Sequence, residues 1–155
     1  MMDYFVLKWI HIVSSTLLFG TGLGTVFYKC MADYYGNVEH QAQTLKAVVW
    51  ADMLFTAPAV VVQLVTGLWM VHLAGYALFE GWLLWVLCLF VVVGCCWLPV
   101  LWLQVKMRDL AMMAAANNTP LSSDYYRYRK IWLALGVPAF IAVMVIFWLM
   151  VFKPI

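Results

Sequence analysis

Charge is what this sequence has least of: only 10% of its 155 residues are Asp, Glu, Lys or Arg, whereas 67% are hydrophobic. A soluble domain of this length carries about 25% charged residues, so the composition excludes an ordinary water-soluble fold. Strands of a membrane barrel would be about ten residues long and would alternate in polarity. No segment does so, and the chain is therefore predicted to be an all-α integral membrane protein.

Several chemical signatures are also missing from the sequence. It has no Cys-x-x-Cys-His run for covalent haem attachment, no glycine loop that cradles phosphate, no serine nucleophile elbow and no zinc-ligand spacing. Its four cysteines do not suggest a disulfide framework, because three of them fall inside one apolar run. These absences leave the few polar residues within the apolar runs as the candidates for function.

Four apolar runs are long enough to cross about 30 Å of hydrocarbon as helices that rise about 1.5 Å per residue. They lie at about 4–28, 53–76, 82–103 and 131–152. The second connection is so short that spans two and three must be antiparallel neighbours. We predict a single domain, residues 1–155, folded as a four-transmembrane-helix bundle in a lipid bilayer.

Basic residues are distributed unevenly between the connections. Seven of the nine lysines and arginines lie in the first and third connections, which the positive-inside rule assigns to the cytoplasm. Both termini are therefore predicted to be periplasmic, in a bacterial inner membrane. The basic and aromatic run 125–130 is expected to anchor to anionic lipid and not to bind nucleic acid.

The two longer connections are predicted to be partly helical. The first contains the turn Tyr-Tyr-Gly-Asn at 34–37, followed by a polar helical run that leads into span two. The third extends span three as a helix, breaks at 117–120 and resumes after Ser123 and Asp124.

Two histidines, His11 and His72, lie inside the first and second spans. Ionisable side chains in hydrocarbon are costly, so each is a functional candidate. With the N-terminus outside, span one runs toward the cytoplasm and span two runs back toward the periplasm, so both histidines lie in the outer leaflet. Imidazoles on different helices of a bundle are a standard way to hold haem b, and the pair is predicted to ligate haem iron. The alternative is that each imidazole only bonds to a neighbouring helix or reaches interfacial water.

Four other residues of the spans stand out. Gly20 and Gly24 lie four apart on one helix face, a pattern that allows close backbone approach within the chain or to a second copy in a homo-oligomer. Asp52 is expected to cap span two or to pair with Lys46 or an arginine of the third connection, with a proton relay as the alternative. Gln63 is expected to hydrogen-bond across to another helix.

A series of short motifs occurs along the chain in a familiar order. They are Lys8-Trp-Ile-His11-Ile, Phe55-Thr-Ala-Pro58-Ala, Thr66-Gly67-Leu-Trp69, Gly81-Trp82-Leu, Tyr126-Arg127 and Phe152-Lys153-Pro154. The series resembles the HemJ-type protoporphyrinogen oxidases, small bacterial membrane proteins that are implicated in haem synthesis, bind haem b and are related to the CopD membrane domains. In this resemblance His11 matches the histidine of the family's first span.

The third span departs from that family. Where the oxidases read Gly-Trp-Leu-His-Val-Lys, the histidine and the lysine are replaced by Leu84 and Val86. Valine cannot mimic a charged amine, so the resemblance does not carry protoporphyrinogen oxidation with it. The overall pattern, including Leu-Phe-Gly-Thr-Gly-Leu-Gly at 18–24, is more similar to a sister group of bacterial integral membrane proteins known as a domain of unknown function (2269 type). That resemblance implies a fold and no activity.

The leading functional prediction is a membrane redox protein or respiratory accessory subunit that holds haem b near its outer leaflet and exchanges electrons with quinone or a membrane redox partner. The alternative is a non-catalytic packing, assembly or transport subunit without a cofactor, which the small number of polar residues favours. A protoporphyrinogen oxidase-like enzyme ranks third.

Overall fold

The computed structural model describes residues 2–79 and 81–153. These residues are almost entirely helical and contain no strand, which confirms the all-α prediction. Four continuous helices are long and apolar enough to cross a membrane, namely Asp3–Tyr35, Val38–Ala74, Gly81–Ala116 and Ser123–Phe152. Most of them extend beyond the predicted spans, but the second ends at Ala74, because Gly75 adopts a left-handed conformation there and its N–H caps the last turn.

Contacts divide the chain into two compact units, Met1–Tyr76 and Ala77–Ile155. In the first unit, α1 (Met2–Tyr35) packs against α2 (Val38–Ala51), a π-helical turn (Asp52–Thr56) and α3 (Ala57–Ala74). The second unit is the pair α4 (Gly81–Ala116) and α5 (Ser123–Phe152). Each unit is thus a helical hairpin.

The helical connections agree with the sequence prediction. Gly36 has a positive φ of 68° between α1 and α2, and the side chain of Asn37 caps α2 by accepting the N–H of His40. After α4, Asn118 takes a positive φ of 51°, and the side chain of Ser122 caps α5. The residues of these turns therefore end one helix and cap the start of the next.

The π-helical turn lies directly before a proline. Pro58 lacks an N–H, and its ring crowds the carbonyl of Leu54 four residues earlier. The helix accommodates the ring by widening, so that the N–H of Ala57 bonds to the carbonyl of Asp52 five residues before it. Asp52 and Thr56 both lie buried on this turn.

Small residues, not large ones, occupy much of the contact between the helices of the first unit. Ser14, Ala32, Ala42, Ala59 and Thr66 are all buried, whereas many of the large apolar side chains face outward. Small side chains allow close helix packing where lipid, not water, surrounds the protein. The exposed apolar surface therefore fits a bilayer.

Candidate functional site

The imidazole of His11 lies half-buried between α1 and α3. Its Nδ1 is 2.8 Å from the hydroxyl oxygen of Thr66. That hydroxyl also lies 2.6 Å from the carbonyl oxygen of Val62, which can only accept a hydrogen bond. We assign the single hydroxyl proton to the bond with Val62, and in this assignment Nδ1 of His11 carries the proton that Thr66 accepts. This assignment leaves the lone pair of His11 on Nε2.

The Nε2 atom of His11 makes no hydrogen bond to the residues that the structure describes. The ring is thus oriented through one nitrogen while the other can bind a ligand. Metal-ligating histidines usually have this arrangement, in which the second nitrogen donates to a fixed acceptor. Within 2–79 and 81–153 there is no group of three or more histidine, cysteine or acidic side chains placed to hold a metal ion.

Gln63 and Ser14 form a second polar link, one turn along from the histidine. The amide nitrogen of Gln63 donates to the hydroxyl of Ser14 at 2.6 Å and to the backbone carbonyl of His11. Ser14 in turn lies 3.1 Å from the same carbonyl. This is the bond across to another helix that was expected of Gln63, and it joins α3 to α1 beside His11.

Gly67 allows the close contact between the imidazole and α3. A Cβ atom at this position would lie 3.2 Å from Cε1 of His11, tighter than most side-chain contacts. By contrast, apart from the backbone of α1 itself, none of the described residues has an atom within 4 Å of a Cβ built at Gly20 or Gly24. The glycines singled out in the sequence therefore have open space around them, and their proposed contact with a second copy stays a prediction.

Substitution of Gly67 by valine should push the imidazole away from α3. We expect a loss of about 1–3 kcal/mol in stability, because extra atoms in a tight contact force the neighbours to shift. Thermal unfolding in detergent would measure the loss. Gly20→Val is the matched control and should stay within about 0.5 kcal/mol of wild type; equal losses in both variants would contradict the contact assigned to Gly67.

His72 lies in the last turn of α3 and is exposed. It follows Thr66 by six residues, which corresponds to about 9 Å along the axis and about 120° around it. Since Thr66 is level with His11, the register does not bring the imidazole of His72 to that of His11. A ligand pair made by these two histidines is therefore not supported by the geometry of this hairpin.

A buried charged cluster lies at the other end of the same hairpin. The ammonium of Lys29 is 2.6 Å from the carboxylate of Asp33, and the two side chains are only 1% and 5% exposed. Asp52 is also buried, and it accepts a hydrogen bond from the hydroxyl of Thr56 at 2.8 Å. The first span was predicted to end at residue 28, which put Lys29 in the first connection. In the structure α1 continues to Tyr35, so Lys29 is part of this helix.

The register of the hairpin directs Asp52 toward this cluster. Because Ser14 faces Gln63, Asp52 lies level with about Thr25, roughly one turn from Lys29. Side chains lean toward the start of their own helix, so those of two antiparallel helices lean toward each other. Lys46, one of the partners predicted for Asp52 from the sequence, is exposed.

An apolar groove of about 250 Å³ runs beside the polar link, between α1 and the start of α3. Trp9, Val13, Phe55 and Pro58 contribute to its walls, and the side chain of Ser14 borders it. The groove could accommodate an apolar ring or chain next to the residues that support His11.

The second unit contributes no imidazole, because all three histidines precede residue 77. At the positions where the oxidase resemblance expects histidine and lysine, Leu84 is exposed and Val86 is buried in α4. All three imidazoles of the chain therefore lie in the first unit.

Comparison with known proteins identifies the family of the chain. No curated protein and no solved structure matches the chain. A family model does match, and it covers residues 5–154, nearly the whole sequence, including all four long helices. The chain therefore belongs to the family described as a predicted integral membrane protein, DUF2269.

Proposed function

We propose that this membrane protein holds a b-type haem through His11 and works as a redox protein or respiratory accessory subunit. The hydrogen bond between His11 and Thr66 carries the proposal, because in the assigned tautomer Nδ1 donates to Thr66 and Nε2 keeps its lone pair. Porphyrin supplies the equatorial ligands of its iron, so one or two protein ligands are enough to hold a haem. We assign His11 as one of them and leave His72 unassigned.

Each residue of the site has a definite task in this proposal. Haem, when bound, supplies one-electron chemistry. Nε2 of His11 is the ligand, Thr66 fixes the ring, and the Gln63–Ser14 bond holds α3 against α1. The apolar groove that Ser14 borders supports quinone as the electron-transfer partner. Protoporphyrinogen oxidase-like activity has less support, since Val86 stands where that family has lysine.

The pair Thr66→Val and Thr66→Ser tests the proposal. Valine removes the acceptor with little change in shape, and we expect haem affinity to fall about 10–100-fold, as for other partners of a ligating histidine. Serine keeps the hydroxyl and should bind nearly as tightly as wild type. Haem titration of the purified protein in detergent gives both values; equal affinity in Thr66→Val would contradict the assigned orientation of His11.

A packing or assembly subunit without cofactor is the second candidate. The network around His11 favours it in one respect, because the His11–Thr66 and Gln63–Ser14 bonds also hold two helices together without any ligand. In that case His72 could be replaced without loss of function, and replacing His11 would only weaken the contact between α1 and α3. Gly20→Leu would then disrupt assembly, because the larger side chain would lie in the contact with a partner. The fold of the hairpin should tolerate the change, because it has room for a side chain at this position. Native gel electrophoresis of membrane extracts would detect the loss.

We also propose that both termini face the periplasm of a bacterial inner membrane. The uneven distribution of lysine and arginine supports this orientation. Alkaline phosphatase fused after the last residue should be active, and a fluorescent protein fused there should be dark. Fusions at Asn118, in the connection between α4 and α5, should give the opposite pair of results. Active phosphatase at Asn118 would contradict the orientation.

A further inference from the structure

The exposed face of α4 changes from apolar to basic over one turn near the middle of the helix. Cys95, Leu98 and Trp102 lie exposed along this face, and the next exposed residue one turn on is Lys106. The ammonium of Lys106 lies 5.7 Å from the centre of the Trp102 ring. An apolar face that ends in an aromatic ring and then a cation is typical of a membrane surface.

The same change occurs on α5, at the same level of the hairpin. The ring centres of Trp102 and Tyr128 are 5.9 Å apart, so these two positions of α4 and α5 lie at the same level. Beside Tyr128, Arg127 and Lys130 are exposed, whereas Ile131 begins an exposed apolar face toward the far end of α5. Both helices of the second unit thus pass from apolar to basic at one height.

The charges at this height are not neutralised by the hairpin itself. Among the described residues, Arg127, Lys130 and Lys106 form no ion pair, whereas Arg108 is bound by Asp109 at 2.7 Å. Asp124, one turn before Arg127, is the one exposed acid nearby on α5. Three cations and two aromatic rings therefore form a basic collar, defined as Trp102, Lys106, Arg127, Tyr128 and Lys130.

We propose that the basic collar binds the phosphate of an anionic phospholipid. A lipid fits better than a free anion, because the exposed apolar faces of α4 and α5 begin at the collar and would contact the acyl chains of a lipid bound there. Lys and Arg near an anionic membrane surface each add about 1 kcal/mol to binding. Trp102 and Tyr128 sit at the depth that such rings prefer, between headgroup and hydrocarbon.

Lipid retention by the full-length protein tests this proposal without reference to haem. The protein is incubated with equal amounts of phosphatidylglycerol and phosphatidylcholine of the same acyl chains, and the bound lipids are counted by native mass spectrometry. We expect wild type to prefer phosphatidylglycerol. In the variant K106Q/R127Q/K130Q the preference should fall about fivefold for each charge removed.

The control K8Q/K46Q removes two exposed cations of the first unit and should keep the preference. Lys153 is left in place, because its ammonium lies 5.8 Å from the centre of the Trp82 ring, an arrangement like that of Lys106 and Trp102. Raising salt from about 0.1 M to about 1 M should weaken the preference, because the Debye length falls from about 10 Å to about 3 Å. An unchanged preference in the collar variant, an equal loss in the control, or full displacement of the lipid by millimolar inorganic phosphate would each overturn the proposal.

Discussion

Replacement of His11 by alanine is expected to abolish the reduced-minus-oxidised b-type spectrum of the purified protein. The variant removes the imidazole whose Nδ1 bonds to Thr66 and whose Nε2 makes no hydrogen bond to the described residues. Without this ligand, the polar groups left at the site are the hydroxyls of Ser14 and Thr66 and the amide of Gln63, which are poor ligands for haem iron. Absorption spectroscopy after expression with ample haem measures the loss directly.

Two further histidines provide controls for that experiment. His40 lies exposed in α2, and His72 is exposed near the end of α3, away from the level of His11. Both His40→Ala and His72→Ala should keep the spectrum. Free imidazole added to His11→Ala should restore part of it, which would separate loss of a ligand from loss of the fold. A spectrum that survives in His11→Ala would contradict the assignment.

Replacement of Lys29 by methionine is expected to destabilise the protein by about 3–5 kcal/mol, because it leaves a buried carboxylate without its counter-charge. Lys29 is 1% exposed and pairs with Asp33 at 2.6 Å, and the register directs Asp52 toward the same place. Equilibrium unfolding in mixed micelles with increasing denaturing detergent would measure the loss. Lys46→Met, at an exposed lysine of the same unit, should change stability by less than about 0.5 kcal/mol.

The double variant Lys29→Met with Asp33→Leu separates the pair from a general loss of packing. Removing both charges should recover part of the stability that Lys29→Met loses, because Asp33 no longer needs a counter-charge while Asp52 stays as a buried carboxylate. The two single effects are then strongly non-additive. Strict additivity would contradict a direct pair between these two side chains.

The sequence predicted the helices well for a simple physical reason. Hydropathy and length identify the spans, because any polar backbone in hydrocarbon must bond internally. Gly36 and Asn118 lie in the two predicted breaks and mark helix ends through a positive φ, whereas the capping residue of α5 is Ser122 and not the predicted Ser123 or Asp124. The π-helical turn was missed, although Pro58 was visible, because the response of a helix to a proline depends on what packs beside it.

The site was predicted only in part. His11 stands out because imidazole is costly in hydrocarbon, whereas Ser14 and Thr66 are too small and common to attract notice. Gln63, Thr66 and Gly67 share one face at three- and four-residue spacing, and this spacing was the signal available in the sequence. The pairing of His11 with His72 rested on depth counted from the helix ends. Depth alone cannot give the rotation and register that tertiary packing sets.

The absorption spectrum of the wild-type protein, purified in mild detergent after expression with ample haem, tests the central claim most directly. If His11 holds haem, the protein should show a b-type spectrum on reduction and about one haem per chain by pyridine haemochrome assay. A colourless protein that still shows a cooperative thermal unfolding transition would contradict haem binding. The hydrogen bonds around His11 would then serve only to join two helices.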